Sequence, residues 1–498
     1  MRLEAYTVRE IITYPSAGLI GRRKIKTAVK EINRGNIREV LEKALPVHAK
    51  NASEITYLYN YYKGRQDIRK KVKYNRTAIN NKVVVNRANE IVTFKTSYLL
   101  SEPIQYISHD GNNAVSTEVN KLNEYMRLED KESKDKEIVD WMHICGVGER
   151  LVLPDARKEQ EGAPFAIYTM DPREAFVIYN SGIGQKPLAG VILQQDENEE
   201  WFATVYTPRF AYKVTKDTVT EYPHIMGGIP LVEYLNNEAR MGAFEVVLSI
   251  LNAINQLESD AVDSVQDFVN GFDVFQNCDI ADGDYGDLSI GGKAVKIKTV
   301  TQGMEARVYR VSSELSQPGV QTRIDDQTEA YLEICGMPNR NGGLSTSDTG
   351  SAVMFRDGFV AAHARAVDTA TLFKRSEREF DRIVLTICTG KGRLNLQLSD
   401  FEPKFPLGNL VNLQSLVQVF TEMLSQDWVH PKIAYEVGSA LFKDPETAYR
   451  LGKEWAEKNA ADREKELNKE LERERSIQTE RPGDTDSGET GADEGQEG

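Results

Sequence analysis

Apolar positions along this chain follow helical spacing at both ends and strand spacing in between, and that alternation of periods outlines the architecture. Helical spacing runs through residues 1–55, with breaks expected at Pro15 and Pro46. A tyrosine-rich stretch at 57–62 (YLYNYY) leads into a turn at Lys63 and Gly64. Val83, Val84, Val85 and Asn86 then precede a helix-like run over 89–100, which Pro103 cannot continue. Leu122, Met126, Ile138, Trp141 and Ile144 predict one amphipathic helical segment over 117–146. Between 150 and 234 the period falls to two. Short β-branched and aromatic runs bounded by Pro, Gly and Asp predict an antiparallel sheet, with Met170, Asp171, Pro172 and Arg173 as a turn between strands.

The clearest helix is expected over 244–269, where Phe244, Val247, Leu251 and Ile254 step by three and four and Ala261, Val265 and Phe268 continue the stripe. A second is expected over 317–335, with Pro318 in its first turn and Val320, Ile324, Tyr331 and Ile334 on one face. Residues 271–316, rich in Gly and Asp with short β-like runs, leave one long helix and return to the other, so they should project from the body. Residues 336–350 (GMPNRNGGLSTSDTG) nearly lack large apolar side chains and read equally as a flexible connection or a mobile functional element. A helix follows to about Cys388, with Phe355, Phe359, Ala362, Ala366, Thr369 and Phe373 on a face. Beyond Gly390 one strand-like piece precedes two or three helices over 409–458, with a helix start at Asp444, Pro445 and Glu446. The end is a Lys/Glu-mixed helix and then a Gly/Glu/Asp tail expected to be disordered. The class is α+β.

Composition narrows the function. With 498 residues the chain has room for more than one core. Lys and Arg number 62 against 76 Asp and Glu, a formal charge of −14, which argues against gripping nucleic acid over the whole surface. An acidic lining would instead let a duplex slide without sticking, with basic rings placed locally. Cys145, Cys278, Cys335 and Cys388 are scattered singly and read as buried thiols of a protein made in a reducing cytosol. The N-terminal residues lack the apolar run of a signal peptide, and nowhere do about 20 apolar residues follow one another, so no membrane partner is expected.

Catalytic chemistry is hard to find. Thr389, Gly390, Lys391 and Gly392 lack the glycine spacing and the Ser/Thr of a phosphate loop, and neither HExxH nor GxSxG occurs. The histidines, at 48, 109, 143, 224, 363 and 430, are far apart; His143 reads as a core-edge residue before a ligand or base. The acidic pairs Asp325/Asp326 and Asp282/Asp284 read as solvated faces before metal sites. No catalytic residue, metal site or cofactor is expected.

Residues 61–68 (YYKGRQDI), 80–92 (NNKVVVNRANEIV) and 95–106 (KTSYLLSEPIQY) resemble, in order, the portal proteins of tailed bacteriophages, most of all the branch in siphophages of Gram-positive hosts. So do 238–267, the helix with LNAINQLESDAVDSVQDF; 331–338 (YLEICGMP) with the following Gly/Ser loop and GSAVMF; and the ending over 401–455. The shared order over about 50–455 carries the match. The resemblance implies a ring-forming portal fold, typically a dodecamer: an N-terminal segment at 1–55, wing 56–240, first stem helix 241–270, clip 271–316, second stem helix 317–336, tunnel loop 337–350, long wing and tunnel helix 351–395, crown 396–462, and a charged helix with an acidic tail at 463–498.

It also implies a non-enzymatic subunit of the virion's portal vertex, assembled in the host cytoplasm. The subunit would pass double-stranded DNA and dock the terminase large subunit and a head-tail connector (adaptor) protein, beside major capsid and scaffolding proteins. Glu258, Asp260, Asp263 and Asp267 with Asp325, Asp326 and Glu329 would form a repulsive channel wall, and apolar stripes of the stem would bury between subunits. Arg323 would form a cationic ring or, equally, an intersubunit salt bridge. In the tunnel loop, Asn339, Arg340, Asn341, Gly342, Gly343, Ser345, Thr346 and Ser347 would meet phosphates, Arg340 either by direct contact or as a helix cap. Lys293, Lys296 and Lys298, read as alternating along one strand, would dock partners at the clip or be a plain solvated face. The alternatives are another ring-shaped head-tail connector or minor capsid protein, and a nucleotide-dependent enzyme.

Overall fold

The computed structural model describes residues 18, 21–74, 77–109, 113–155, 162–269, 272–279, 298–299, 303, 305, 307–311, 317–339, 358–405, 407, 413–438, 441–442 and 445–479. They fall into two compact units, Met1–Leu410 and Val411–Gly498.

The larger unit is built on two sheets. Strands β1 (Ile25–Thr27), β5 (Ala175–Asn180), β6 (Pro187–Gln195), β7 (Trp201–Tyr206), β8 (Phe210–Val214) and β9 (Val219–Pro223) form a six-stranded sheet in that order. All pair antiparallel except β1, which joins β5 in parallel. A three-stranded sheet has β3 (Val147–Pro154) between β10 (Leu231–Leu235) and β4 (Phe165–Met170). The expected antiparallel region is therefore present, and Asp171 and Arg173 pair in the turn that joins β4 to β5.

Helix α1 (Ile37–Tyr62) overrides the break expected at Pro46, which lies inside it. An interior proline costs about 3 kcal/mol. Leu41, Leu45, Ile55, Leu58 and Tyr61 are buried on that helix, and each contributes roughly 1.5–3 kcal/mol. Burial wins. The first turns of α1 cover the larger sheet through Ile37, Val40, Leu41 and Leu45 against Phe176, Val191, Val205 and Tyr212. Its tyrosine-rich end belongs to a different core, with Phe244, Val247, Leu248 and Leu251. The boundary expected at residue 55 therefore falls inside one helix.

The segment expected as one helix over 117–146 is two, α3 (Asn113–Leu128) and α4 (Lys131–Cys145), because Asp130 turns with φ +51°. Helices α2 (Arg87–Leu99), α5 (Leu248–Val269) and α6 (Gln317–Cys335) match their expected spans closely, α5 being led in by a short 3₁₀ turn. The long helix α7 (Phe359–Gly390) packs on the smaller sheet and ends at the expected place. Strand β2 (Gln105–Ser108) pairs antiparallel with β15 (Phe401–Lys404). That pairing puts 401–404, expected in the crown, inside the larger unit, and the units divide at 410 rather than 395.

The smaller unit has α8 (Leu413–Ser425), α9 (Pro431–Val437) and α10 (Pro445–Thr479). Phe420, Tyr435 and Phe442 meet ring to ring within 5.1–5.2 Å and Tyr449 meets Tyr435 at 5.7 Å, a small aromatic core. The helix start at Pro445 is as expected, and α10 runs through the crown boundary at 462 without a break. The acidic tail beyond 479 lies outside the described residues.

Candidate functional site

α5 and α6 flank the insertion expected to project. Directly after α5, β11 (Phe272–Gln276) pairs antiparallel with β14 (Arg307–Val311), which leads back to α6. A second pair joins β12 (Cys278–Asp279) to β13 (Lys298–Thr299). Lys298 thus lies on a strand, while Lys293 and Lys296 lie outside the described residues. The odd spacing between Lys293 and Lys296 would put those two on opposite faces of any continuous strand, which corrects the single lysine face expected above.

The apolar stripe that starts at the 3₁₀ turn and continues along α5 divides. Phe244, Val247, Leu251 and Ile254 are buried within this chain, against α1, α2 and α6, and not in reserve for a neighbour. Truncating Phe244 to Ala would cost about 3–5 kcal/mol. Val262 and Val265, farther along, are exposed. On α6, Ile324 and Tyr331 are buried with Leu332 and Cys335, and Ile334 is exposed.

A strap holds the polar face of α5. Residues 81–85 run extended along the helix, and their alternate backbone N–H groups donate to side chains four residues apart. Asn81 donates to Asp263 Oδ1 (2.7 Å), Val83 to Ser259 Oγ (3.0 Å) and Val85 to Asn255 Oδ1 (2.8 Å). The match is metrical: two extended residues span about 6.6–6.8 Å and four helical residues about 6 Å. The valine run therefore takes helix side chains in place of a neighbouring strand. Asn255 also donates to Gln66, which in turn donates to Asn86 Oδ1 at 2.9 Å, so the strap is pinned at its base.

This arrangement corrects the reading of Asp263 as a channel-facing acid. Asp263 is 2% exposed and accepts from the Asn81 side chain (2.8 Å) as well as pairing with Lys71 at 2.9 Å. Burial alone would raise its carboxyl, but the Asn81 backbone N–H and Lys71 outweigh burial and hold it at about 2. Asp260 pairs with Lys71 at 2.7 Å from an exposed position. Glu258 is half-buried, and Arg323, Asp325, Asp326 and Glu329 are exposed on α6. For Asp267 only its place on α5 is described.

At the end of α6 the chain turns through Gly336 (φ +64°), where Met337 N–H donates to Leu332 O at 2.8 Å. The chain re-enters α7 at Gly358 (φ +82°), whose missing Cβ would sit 3.6 Å from Met337 O and Pro338 Cα. Positive φ at both ends suits glycine, and both ends of the segment between lie side by side. Asn339 is described there, lining a cleft of about 610 Å³ with Arg87, Glu90, Tyr331 and Pro338. Arg340, Asn341, Gly342, Gly343, Ser345, Thr346 and Ser347 lie outside the described residues.

A buried ionic cluster, which the sequence reading missed, fastens α7 to the rest. Glu377 of α7 accepts from Lys131 (2.7 Å), Arg150 (3.3 Å), Tyr106 (2.8 Å) and Tyr234 (2.7 Å), and Asp135 pairs with both Lys131 and Arg150. Burial would raise Glu377, yet Lys131 and Arg150 keep its carboxyl below the usual range. Two cations face two anions, so charges balance. Its members come from α4, β2, β3, β10 and α7, and no local spacing announces such a set.

His143 and three of the cysteines lie in the interior. His143 is buried, with its Nδ1 3.1 Å from Thr96 Oγ1, and burial lowers it to about 3. Cys145, Cys335 and Cys388 are buried free thiols, as expected. Among the described residues no helix is long and apolar enough to cross a membrane.

Two solved structures are similar to this chain: "Neck of empty GTA particle computed with C6 symmetry" and "Neck of native GTA particle computed with C12 symmetry". Each is 8% identical with a TM-score of 0.40 and covers 70% of this chain, matching 89% and 88% of those chains respectively. No curated protein sequence matches this one. The family model "Phage portal protein, SPP1 Gp6-like" matches residues 41–473, from within α1 to within α10. With most of its length inside that match, this chain belongs to the SPP1 Gp6-like family of phage portal proteins.

Proposed function

We propose that this chain is the repeating subunit of a portal ring, typically a dodecamer, at one vertex of a tailed-phage capsid. Double-stranded DNA passes through the ring on packaging and again on ejection. The terminase large subunit and then the head-tail connector dock at 271–316, and major capsid and scaffolding proteins surround the ring. The subunit is made in the host cytoplasm and ends in the virion; its resemblance is to portals of siphophages of Gram-positive hosts. The supporting observation is one series in one chain: two packed helices around a paired-strand insertion, then a segment that leaves and re-enters the body at one point, then a long helix.

In this reading the residues at 337–350 meet DNA phosphates through neutral donors and Arg340. Exposed Asp260, Asp325, Asp326 and Glu329 supply the repulsive wall, with Arg323 as its cationic counterweight. Asp263 has no part in that wall, being bound to the strap. Chemistry on nucleotide belongs to the terminase, and this subunit is not an enzyme. Negative-stain imaging of the purified chain tests the assembly: a wide ring with a central hole is expected, and a compact monomer both free and in particles overturns it. ATP hydrolysis by the purified chain should stay at background; turnover above it favours a nucleotide-dependent enzyme.

A further inference from the structure

On α7, Lys374 and Arg378 lie four residues apart and so share a face. That face walls a cavity of about 400 Å³ whose far side is the chain leading into β15. Like charges at this spacing repel, so a helix gains nothing from them unaided. Neither side chain has an acidic partner among the described residues. Their neighbour Arg375 differs, since it pairs with Glu238 at 2.6 Å. Glu402 lines the opposite side.

The floor of the cavity is unusual. Asp381, three residues beyond Arg378, is 2% exposed, lines the cavity, and has an Oδ1 atom without a hydrogen-bond partner. In the cluster behind it Lys131 and Arg150 already pair with Asp135 and Glu377, and neither forms an ion pair with Asp381. Burial and the adjacent Glu377 push the Asp381 carboxyl well above the usual range, against the pull of Lys131 and Arg150, which favours its protonated form. A protonated carboxyl offers an O–H donor. Two unpaired cations and one buried carboxyl with an unpartnered oxygen thus converge on one concavity.

We infer that this cavity binds a phosphate group, free or as a phosphodiester, gripped by Lys374 and Arg378 and hydrogen-bonded by the Asp381 carboxyl. The guanidinium fork of Arg378 suits a tetrahedral oxyanion, and Lys374 adds a point charge. The site stands apart from the stem and from 337–350, and its case does not depend on ring assembly.

Isothermal titration of the full chain with inorganic phosphate, against chloride at matched ionic strength, tests the inference. Saturable binding is expected for phosphate alone. The double variant Lys374→Gln/Arg378→Gln should bind at least about tenfold more weakly, as loss of charge-assisted contacts dictates, with its thermal midpoint in chloride unchanged. Asp381→Asn, whose amide donates in place of the O–H, should stay within about threefold of the parent; Asp381→Leu should not. Phosphate indistinguishable from chloride, or a double variant that binds as the parent does, overturns the site. A DNA duplex identifies the source. If the group is a backbone phosphodiester, the double variant lowers duplex affinity and flattens its logarithmic salt slope by about one; if it is free phosphate, duplex affinity stays as it was while phosphate binding is lost.

Discussion

Replacing Asp263 by Ala removes the acceptor that anchors the strap's first amide, and the size of the effect follows from what is left behind. The Asn81 N–H, 2.7 Å from Oδ1, becomes an unsatisfied donor at a part-buried position, which costs roughly 1–3 kcal/mol. Lys71 also loses the buried member of its two acidic partners, worth at most about 1 kcal/mol because Asp260 remains and the site opens to solvent there. A total of about 2 kcal/mol opens the strap roughly 30-fold more often. Hydrogen exchange reads this opening locally, which suits a chain of two compact units better than global denaturation. Amide exchange at Asn81 should quicken by about that factor. Val83 and Val85, still held by Ser259 and Asn255, should quicken less.

Asp263→Asn keeps an acceptor and loses the charge, so about 1 kcal/mol is expected. Acid provides an independent check. The folded carboxyl lies at about 2 against an ordinary 3.8, so its contribution is complete above pH 4 and fades as pH falls toward 2. At face value that shift is roughly 2.5 kcal/mol, and solvent screening at the rim reduces it to about 1 kcal/mol. Unchanged exchange over 81–85 in the Ala variant would refute the idea that helix side chains hold the strap.

Glu377→Gln should lower stability by about 3–5 kcal/mol, seen as a depressed thermal midpoint, because Arg150 and Lys131 stay buried with excess positive charge; an unchanged midpoint would show the cluster to be dispensable. His48 and His143 are buried with values lowered to about 4 and about 3, so their contribution is complete above pH 6.5 and declines as pH falls from there toward 4. A midpoint that does not fall between pH 6.5 and 4 would contradict that burial. Arg340→Ala should reduce DNA packaging in a particle assay while leaving ring formation intact, and full packaging would remove Arg340 from the DNA path.

Local periodicity carried most of the fold. α5, α6 and the sheet region are each governed by neighbours within a few residues, and their limits follow from the stepping of Phe244, Val247 and Leu251 or from alternation in the 150–234 run. Reading failed where distant parts decide. Pro46 looks like a terminator until the buried faces on both sides of it are weighed. The valine run at 83–85 looks like a strand, and its partners prove to be Asn255 and Ser259, some 170 residues on. Asp263 and Glu258 look alike in sequence, and only the strap separates a bound carboxylate from a half-buried one. Nothing in the sequence sets Glu377 and Asp381 apart. Their burial depends on Arg150 and Lys131, which no spacing rule connects to them.

The pairing of β2 with β15 joins residues 105–108 to 401–404, across almost 300 residues of the larger unit. During synthesis the earlier strand, together with Tyr106 that bonds Glu377, is made roughly 300 residues before its partner. At about 5–20 residues per second, that edge waits roughly 15–60 s on the ribosome with its backbone groups open to other chains. A nascent subunit thus passes through a period when it is sticky at this edge, and a frameshift or cleavage ahead of residue 401 would make that period permanent.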